Sequence, residues 1–529
     1  MNFISLSFFL FIGLVFVFYF LVPLKWRWIV LLVASYAFYL LANAKYLIFV
    51  VVTTAATFYA ALLIERIKQR AKEVLSENEA VWDADERKAY IRAQQRNSRT
   101  VLILALLLIF GILGFLKYYN FVAANISALF GLPENAWKLD LLLPIGISFY
   151  TFQTASYIID IYRGAYKADR NIAKYALFVS FFPQILQGPI GRYDDLAAQL
   201  TAPNRFSYKN LKFGLQLMLW GYFKKLVIAD RIAVLVAAIY DNTAQPGFFT
   251  MSLGLLSYGL QIYCDFSGGI DISRGVAEVM GIRMAENFQR PYFAQSVSEF
   301  WRRWHMTLGG WTREYIFYPI VLSPGISKLA RGLRKKVGKH VAKVLPACVA
   351  GMLSFLIIGI WHGPAWKYIF FGLYYSSIVT LSRLLSPLFD KLAEKLKIDR
   401  NCFSWRVFCM LRTLALVSVG RCFSRSSGVM DGVMMLKSGL TNWDPWALFD
   451  GSLLRLGLSL SDFNILIFGI LVLLVVGILQ ERGIEIRAAL DSQNLWFRWL
   501  IVIGAILAVL LFGVYGSNYD ARSFIYAQF

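Results

Sequence analysis

Two of the three histidines in this 529-residue chain lie in runs suited to chemistry. His305 closes the run Glu299-Phe300-Trp301-Arg302-Arg303-Trp304-His305, and His362 lies in Gly359-Ile360-Trp361-His362-Gly363-Pro364-Ala365-Trp366. A neutral imidazole is the side chain best suited to move a proton near pH 7. An ionisable group at membrane depth marks a functional site by default. Gly363 and Pro364 break a helix just at His362, which frees backbone amides to line a pocket. A general base needs such a dry, fixed place, and helix-end amides can hold an oxyanion. Arg302 and His305, three apart, share one face if the helix is continuous. That face suits the phosphates of a cofactor arriving from the cytoplasm. The plainer alternatives are a histidine bonded to a neighbouring helix and an interfacial residue held among tryptophans and arginines. His340 stands among lysines and reads as solvated.

The elements that position these residues are membrane helices. The chain is 58% hydrophobic and 16% charged, against roughly 25% charged in soluble domains. Apolar runs near 3–22, 28–43, 46–64, 100–117, 141–162, 344–361, 366–382, 407–420, 464–480 and 499–515 predict an all-α, polytopic bundle. About 11–13 spans are expected, plus broken or re-entrant helices between them. Residues 65–99 carry both signs of charge without Pro or Gly and read as solvated cytoplasmic helix. Pro144-Ile145-Gly146 predicts a kink in the fifth run. Between 172 and 310 the apolar runs look short, broken at Pro183, Gly188-Pro189, Gly268-Gly269 and Pro291, with Lys224, Lys225, Asp230, Asp265 and Asp271 among them. Lipid satisfies neither broken backbone nor charge, so this region must be buried in protein or line water. The segment 324–343 is basic without an acid and marks the cytoplasmic side; from it a helix of about 27 Å delivers His362 towards the other face. This bias explains the net charge of +22 without nucleic acid. Counting spans places both termini outside. The organisation expected is N-terminal spans (1–64), a cytoplasmic helical segment (65–99), a core (100–385) and C-terminal spans with an external tail (386–529).

Other chemistries find no support. The five cysteines form no CxxC, and there is no HExxH, Gly-x-Ser-x-Gly or phosphate-cradling loop ending in Gly-Lys-Ser/Thr. Neither a bound cofactor nor a metal is expected.

Several longer motifs then resemble the membrane-bound O-acyltransferase family. They are Tyr263-Cys264-Asp265-Phe266-Ser267-Gly268, Glu286-Asn287-Phe288, Arg290-Pro291-Tyr292 and the Ser298–His305 run. Within the family the chain resembles the bacterial branch of alginate O-acetylation proteins, related to the teichoic acid D-alanylation component. Supporting similarity lies in 143–153, including Gln153, in Phe181-Phe182-Pro183-Gln184, in Phe223-Lys224-Lys225, and in Trp361-His362-Gly363 with Trp366. The resemblance implies a funnel-centred bundle with a tunnel and a catalytic His362, aided by His305. It implies acetyl-CoA as cytoplasmic donor substrate, an extracytoplasmic polysaccharide acceptor and an external acetyltransferase partner, in a bacterial cytoplasmic membrane. Substrate contacts are expected from Gln153, Asp265, Ser267, Trp301, Arg302, Arg303, Trp304, Trp361 and Trp366. Tyr526, in an aromatic tail, is expected to relay acyl, dock a partner or simply anchor. Gln187, Pro364 and Arg421 depart from the pattern; at Arg421 the branch tends to have Trp. The rivals are a transporter that makes no bonds and an acyltransferase acting on lipid, teichoic acid or protein.

Overall fold

Leu, Phe, Ile and Val rows of helical length dominate the chain, and they fold as helices wherever Pro, Gly or an internal charge does not intervene. The computed structural model describes residues 3–133, 135–242 and 246–515, without the side chains of Leu186 and Asn242. Among these residues every regular element is helical, and the only strand-like feature is an isolated bridge between Phe288 and Trp304. The chain divides into two compact units, residues 1–214 with 276–285, and residues 215–275 with 286–529.

In the first unit, α1 (Leu6–Leu21), α2 (Arg27–Asn43), α3 (Tyr46–Glu77) and α4 (Ala84–Leu129) follow in order. The charged stretch 65–99 is indeed helical, as the ends of α3 and α4, and the turn between them is closed by a capping box of Asp83 and Glu86. Then come α5 (Ile147–Arg163), α6 (Ile172–Ser180), α7 (Phe182–Gln187), α8 (Tyr193–Thr201) and the start of α9 (Tyr208–Tyr222). The expected kink at Pro144-Ile145-Gly146 is instead a helix start. Gly146 is left-handed, at φ 74°, and α5 begins only after it. A Cβ there would sit 2.6 Å from Ile185 Cγ2, so both conformation and space require glycine.

The second unit begins within α9, which passes into a π-helical segment, Phe223–Ala229, and then into α10 (Asp230–Asn242) and α11 (Phe248–Val279). Gly268-Gly269 does not break α11, contrary to the sequence reading. A Cβ on Gly221 would lie 2.6 Å from the Gly268 carbonyl, and one on Gly268 would lie 2.8 Å from the Gly221 carbonyl. These glycines therefore let two backbones touch. Short helices α12 (Val297–Arg303), α13 (Met306–Thr312) and α14 (Tyr318–Val321) precede α15 (Pro324–His362), α16 (Trp366–Leu384), α17 (Ser386–Lys395), α18 (Phe403–Arg425) and α19 (Val429–Thr441). Helix α19 lies between the apolar runs 407–420 and 464–480. The unit closes with α20 (Leu460–Glu481), α21 (Ile486–Asp491) and α22 (Leu495–Phe512). The basic segment 324–343 is itself part of α15, whose helical geometry is interrupted at Gly338 (φ 85°, ψ 166°).

Seven described helices are long and apolar enough to cross a membrane, or eight if the bent pair α16 and α17 is one span. The larger expected count took in α1, whose 16 residues reach only about 24 Å, and the short apolar helices. The outward faces of α1, α20 and α22 carry exposed Leu, Phe and Ile, as lipid-facing helices do.

Candidate active site

His362 is the last residue of α15 and is 7% exposed. The helix stops there because Gly363 is extended and Pro364 follows. The stop also has a packing cause: a Cβ on Gly363 would lie 2.6 Å from the Tyr368 ring. The freed amide expected at Gly363 is in use, since its N–H donates to the Ile360 carbonyl at 3.1 Å. Helix α16 turns back against α15 across glycine. A Cβ on Gly359 would meet the Tyr368 carbonyl at 2.4 Å, and one on Gly372 would meet the Phe355 carbonyl at 2.5 Å. This contact brings Phe371 to 5.4 Å and Tyr368 to 6.3 Å from the His362 ring, centroid to centroid.

His305 arrives differently. Helix α12 ends at Arg303, and Trp304 is extended, with its backbone bridged to Phe288. His305 then takes the left-handed conformation (φ 46°, ψ 53°) as N-cap of α13. Arg302 and His305 thus do not share a helical face, correcting the expectation from their spacing. The cause is tertiary: Gln289 N–H donates to Arg303 O and Met306 N–H to Asn287 O, both at 2.9 Å, drawing the chain out of the helix. Arg302 is exposed, whereas Arg303 pairs with Glu299 at 2.8 Å and Glu481 at 3.0 Å.

Asn287, fully buried, organises the turn. Its Oδ1 accepts the Thr307 N–H at 3.1 Å and the Thr307 hydroxyl at 2.9 Å, and lies 3.2 Å from His305 Nδ1. The backbone donor fixes this oxygen as acceptor, so Nδ1 carries the proton and Nε2 the lone pair. The His305 ring lies edge-on to Phe266 at 4.9 Å and to Trp361 at 5.6 Å, and Trp361 lies 5.2 Å from His362. The two histidines therefore flank one indole, although 57 positions separate them in sequence.

His362 lines a cavity of about 20 Å³ with Trp301, Trp304, Tyr258, Phe371 and Arg421. That is room for about one water-sized group. Arg421, on α18, is 4% exposed and lies over the Trp304 ring at 4.2 Å and the Phe300 ring at 5.1 Å. Its Nη1 donates to Tyr292 Oη and to the Gly259 carbonyl. Its Nη2 and the Trp301 Nε1 are buried donors without a partner among the described residues. Sequence reading flagged Arg421 as a departure; only the packing of α18 reveals that it reaches this cavity.

The remaining predicted residues fall elsewhere. Asp265 and Ser267 belong to a buried ionic network on α11. Lys225 bonds Asp265 at 2.6 Å and Asp230 at 2.7 Å, while Lys224 bonds Ser267 at 2.9 Å and Asp271 at 2.7 Å. Gln153 belongs to the first unit, where it donates to Phe178 O at 2.8 Å and accepts from Gln184 at 3.2 Å. Trp366 is 59% exposed. His340 is half-buried, with Nε2 3.1 Å from the Arg383 carbonyl, not fully solvated as its neighbours suggested. Tyr526 lies outside the described residues. A larger opening in the first unit, about 840 Å³ and lined by Glu65, Lys68, Lys72 and Lys167, holds none of the predicted residues.

Residues 165–333 match the model of the membrane-bound O-acyltransferase family, a span that includes His305. The chain is 31% identical to the probable alginate O-acetylase AlgI of Azotobacter vinelandii over 89% of its own length and 84% of that protein's. It is 28% identical to the peptidoglycan O-acetyltransferase of Helicobacter pylori over 78% of this chain and 72% of the relative. The teichoic acid D-alanyltransferase of Bacillus subtilis is also 28% identical, over 46% of this chain and 59% of the relative. With two histidines around a buried indole and a relative 31% identical over 89% of its length, the chain belongs to the membrane-bound O-acyltransferase family and is an acyltransferase.

Proposed function

We propose that the protein moves an acetyl group from acetyl-CoA on the cytoplasmic side of the bacterial cytoplasmic membrane towards hydroxyls of an extracytoplasmic polysaccharide. An external acetyltransferase partner completes the delivery. The observation that carries this reading is the placement of His362, buried at the end of a helix long enough to cross the membrane and beside a water-sized cavity. A neutral imidazole there takes the proton of an attacking hydroxyl and returns it to the departing thiolate. His305, held by Asn287 at Nδ1, orients donor or acceptor. Exposed Arg302 and the basic segment of α15 attract the anionic donor. The polysaccharide acceptor is supported by the alginate and peptidoglycan O-acetylation named for the relatives. In this reading both termini lie outside, and Tyr526 serves as relay or docking point.

The test is release of CoA from labelled acetyl-CoA by the purified full-length protein in lipid nanodiscs. Wild type should release CoA, and His362→Ala should not. Equal release by His362→Ala would remove the catalytic assignment. Substrate movement by wild type without any CoA release would favour a transporter.

A further inference from the structure

A guanidinium is always charged in a protein, so burying one without a carboxylate requires compensation. Arg421 is buried in this way. Its only described bonds are neutral, to Tyr292 and the Gly259 carbonyl, and three aromatic rings surround it. The fold makes room for it: a Cβ on Gly259 would stand 3.2 Å from Nη1. The glycine beside it, Gly420, lies against Tyr375, where a Cβ would sit 2.6 Å from the ring. The side chain is thus held by packing on both flanks while Nη2 keeps a donor in reserve. Trp301 is held similarly, by Tyr375 at 5.0 Å and Phe355 at 5.5 Å, and its Nε1 also has no described partner. Both residues line the cavity that His362 lines. The helix-end amide at Gly363, the other natural donor, is already engaged.

We propose that Arg421 Nη2, assisted by Trp301 Nε1, forms the oxyanion hole of acyl transfer. The inference rests on the acyl-thioester chemistry given above. His362 removes the proton from the attacking hydroxyl as its oxygen bonds to the thioester carbonyl carbon. The carbonyl π pair moves onto the carbonyl oxygen, which becomes an oxyanion held by the two donors. The pair then re-forms the C=O bond, the C–S bond breaks, and the thiolate leaves with the proton from the imidazolium. Donors fixed in a dry site stabilise such charge without reorganising. The cavity admits a group the size of one carbonyl oxygen.

The experiment measures kcat and KM for CoA release by wild type, Arg421→Gln, Arg421→Lys and Trp301→Phe, each with its thermal midpoint. A lost oxyanion donor should lower kcat on the order of 10²-fold with KM nearly constant. Arg421→Lys should recover part of the loss, and Trp301→Phe should show a smaller fall at an unchanged midpoint. Unaltered kcat in Arg421→Gln, with active wild type, overturns this inference and leaves the proposed function standing. If wild type releases no CoA, the donor reading fails, and formate titration of thermal stability decides the site itself. Stabilisation of wild type but not Arg421→Gln retains an anion site, whereas no difference between them removes it.

Discussion

Gly359→Ala tests whether the contact between α15 and α16 sets the position of His362. The added Cβ would lie 2.4 Å from the Tyr368 carbonyl oxygen and 3.2 Å from both Gly372 Cα and Gly372 N. All three are backbone atoms, so no rotamer change removes the clash. Restoring an ordinary contact of 3.4 Å to the carbonyl requires the helices to part by about 1 Å (3.4 minus 2.4). Overpacking of this kind costs about 1–3 kcal/mol, partly offset by the roughly 1 kcal/mol that alanine contributes over glycine in a helix. The activity cost should be larger. Gly359 precedes His362 by three residues, so the imidazole moves with the helix while Phe371 and Tyr368 move with α16. A displacement near 1 Å in a reacting group costs about 10²-fold in rate. The assay is CoA release together with thermal unfolding in the same nanodiscs. Gly351→Ala is the control, since its Cβ would meet only Arg383 Nη1, at 3.7 Å. It should be neutral or slightly stabilising. If Gly359→Ala matches Gly351→Ala in both rate and midpoint, the close approach does not position the histidine.

Other perturbations separate structural from chemical roles. Lys225→Met leaves Asp230 and Asp265 buried without their shared cation, and should cost about 3–5 kcal/mol, read as loss of folded protein on size exclusion. His305→Asn should retain the turn, because asparagine tolerates left-handed backbone, yet lose activity; His305→Ala should lose activity and also a further ~1 kcal/mol or more of stability. Equal midpoints for the two variants would contradict the strain at this position. Asn287→Ala withdraws the acceptor of His305 Nδ1 and both Thr307 donors, and should lower stability by about 1–3 kcal/mol in thermal unfolding while slowing CoA release.

The long helices were legible because length and apolarity determine them locally: the runs at 28–43, 46–64 and 464–480 reappear in α2, α3 and α20, with α3 continuing through charged residues to Glu77. His362 at a helix end was equally legible, since Gly363-Pro364 is a local stop. Features that depend on a distant partner were not. Trp304 leaves the helix because Phe288 and Asn287 pair with its neighbourhood, and no i, i+3 rule contains that information. Gly268-Gly269 carries the same residues as a breaker but serves contact with Gly221. Asp265 and Ser267 were visible as polar groups in apolar sequence, but their lysine partners lie 40 and 43 positions away. Arg421 illustrates the same limit, since a charged substitution is readable whereas the cavity it enters is not.

The interruption at Gly338 has a mechanical consequence. As one rod, the 39 residues of α15 would extend about 58 Å, nearly twice the ~30 Å hydrocarbon thickness. Any force on the basic end would then act on His362 through a long lever. Gly338 ends that lever, because a residue at φ 85° and ψ 166° breaks the helical path. The segment that bears the imidazole starts at Lys339 and is about 36 Å long, close to what a membrane crossing requires. Lys328, Arg331, Arg334, Lys335 and Lys336 all lie on the far side of that break, so a displacement of their segment is not levered directly onto the histidine packed against α16.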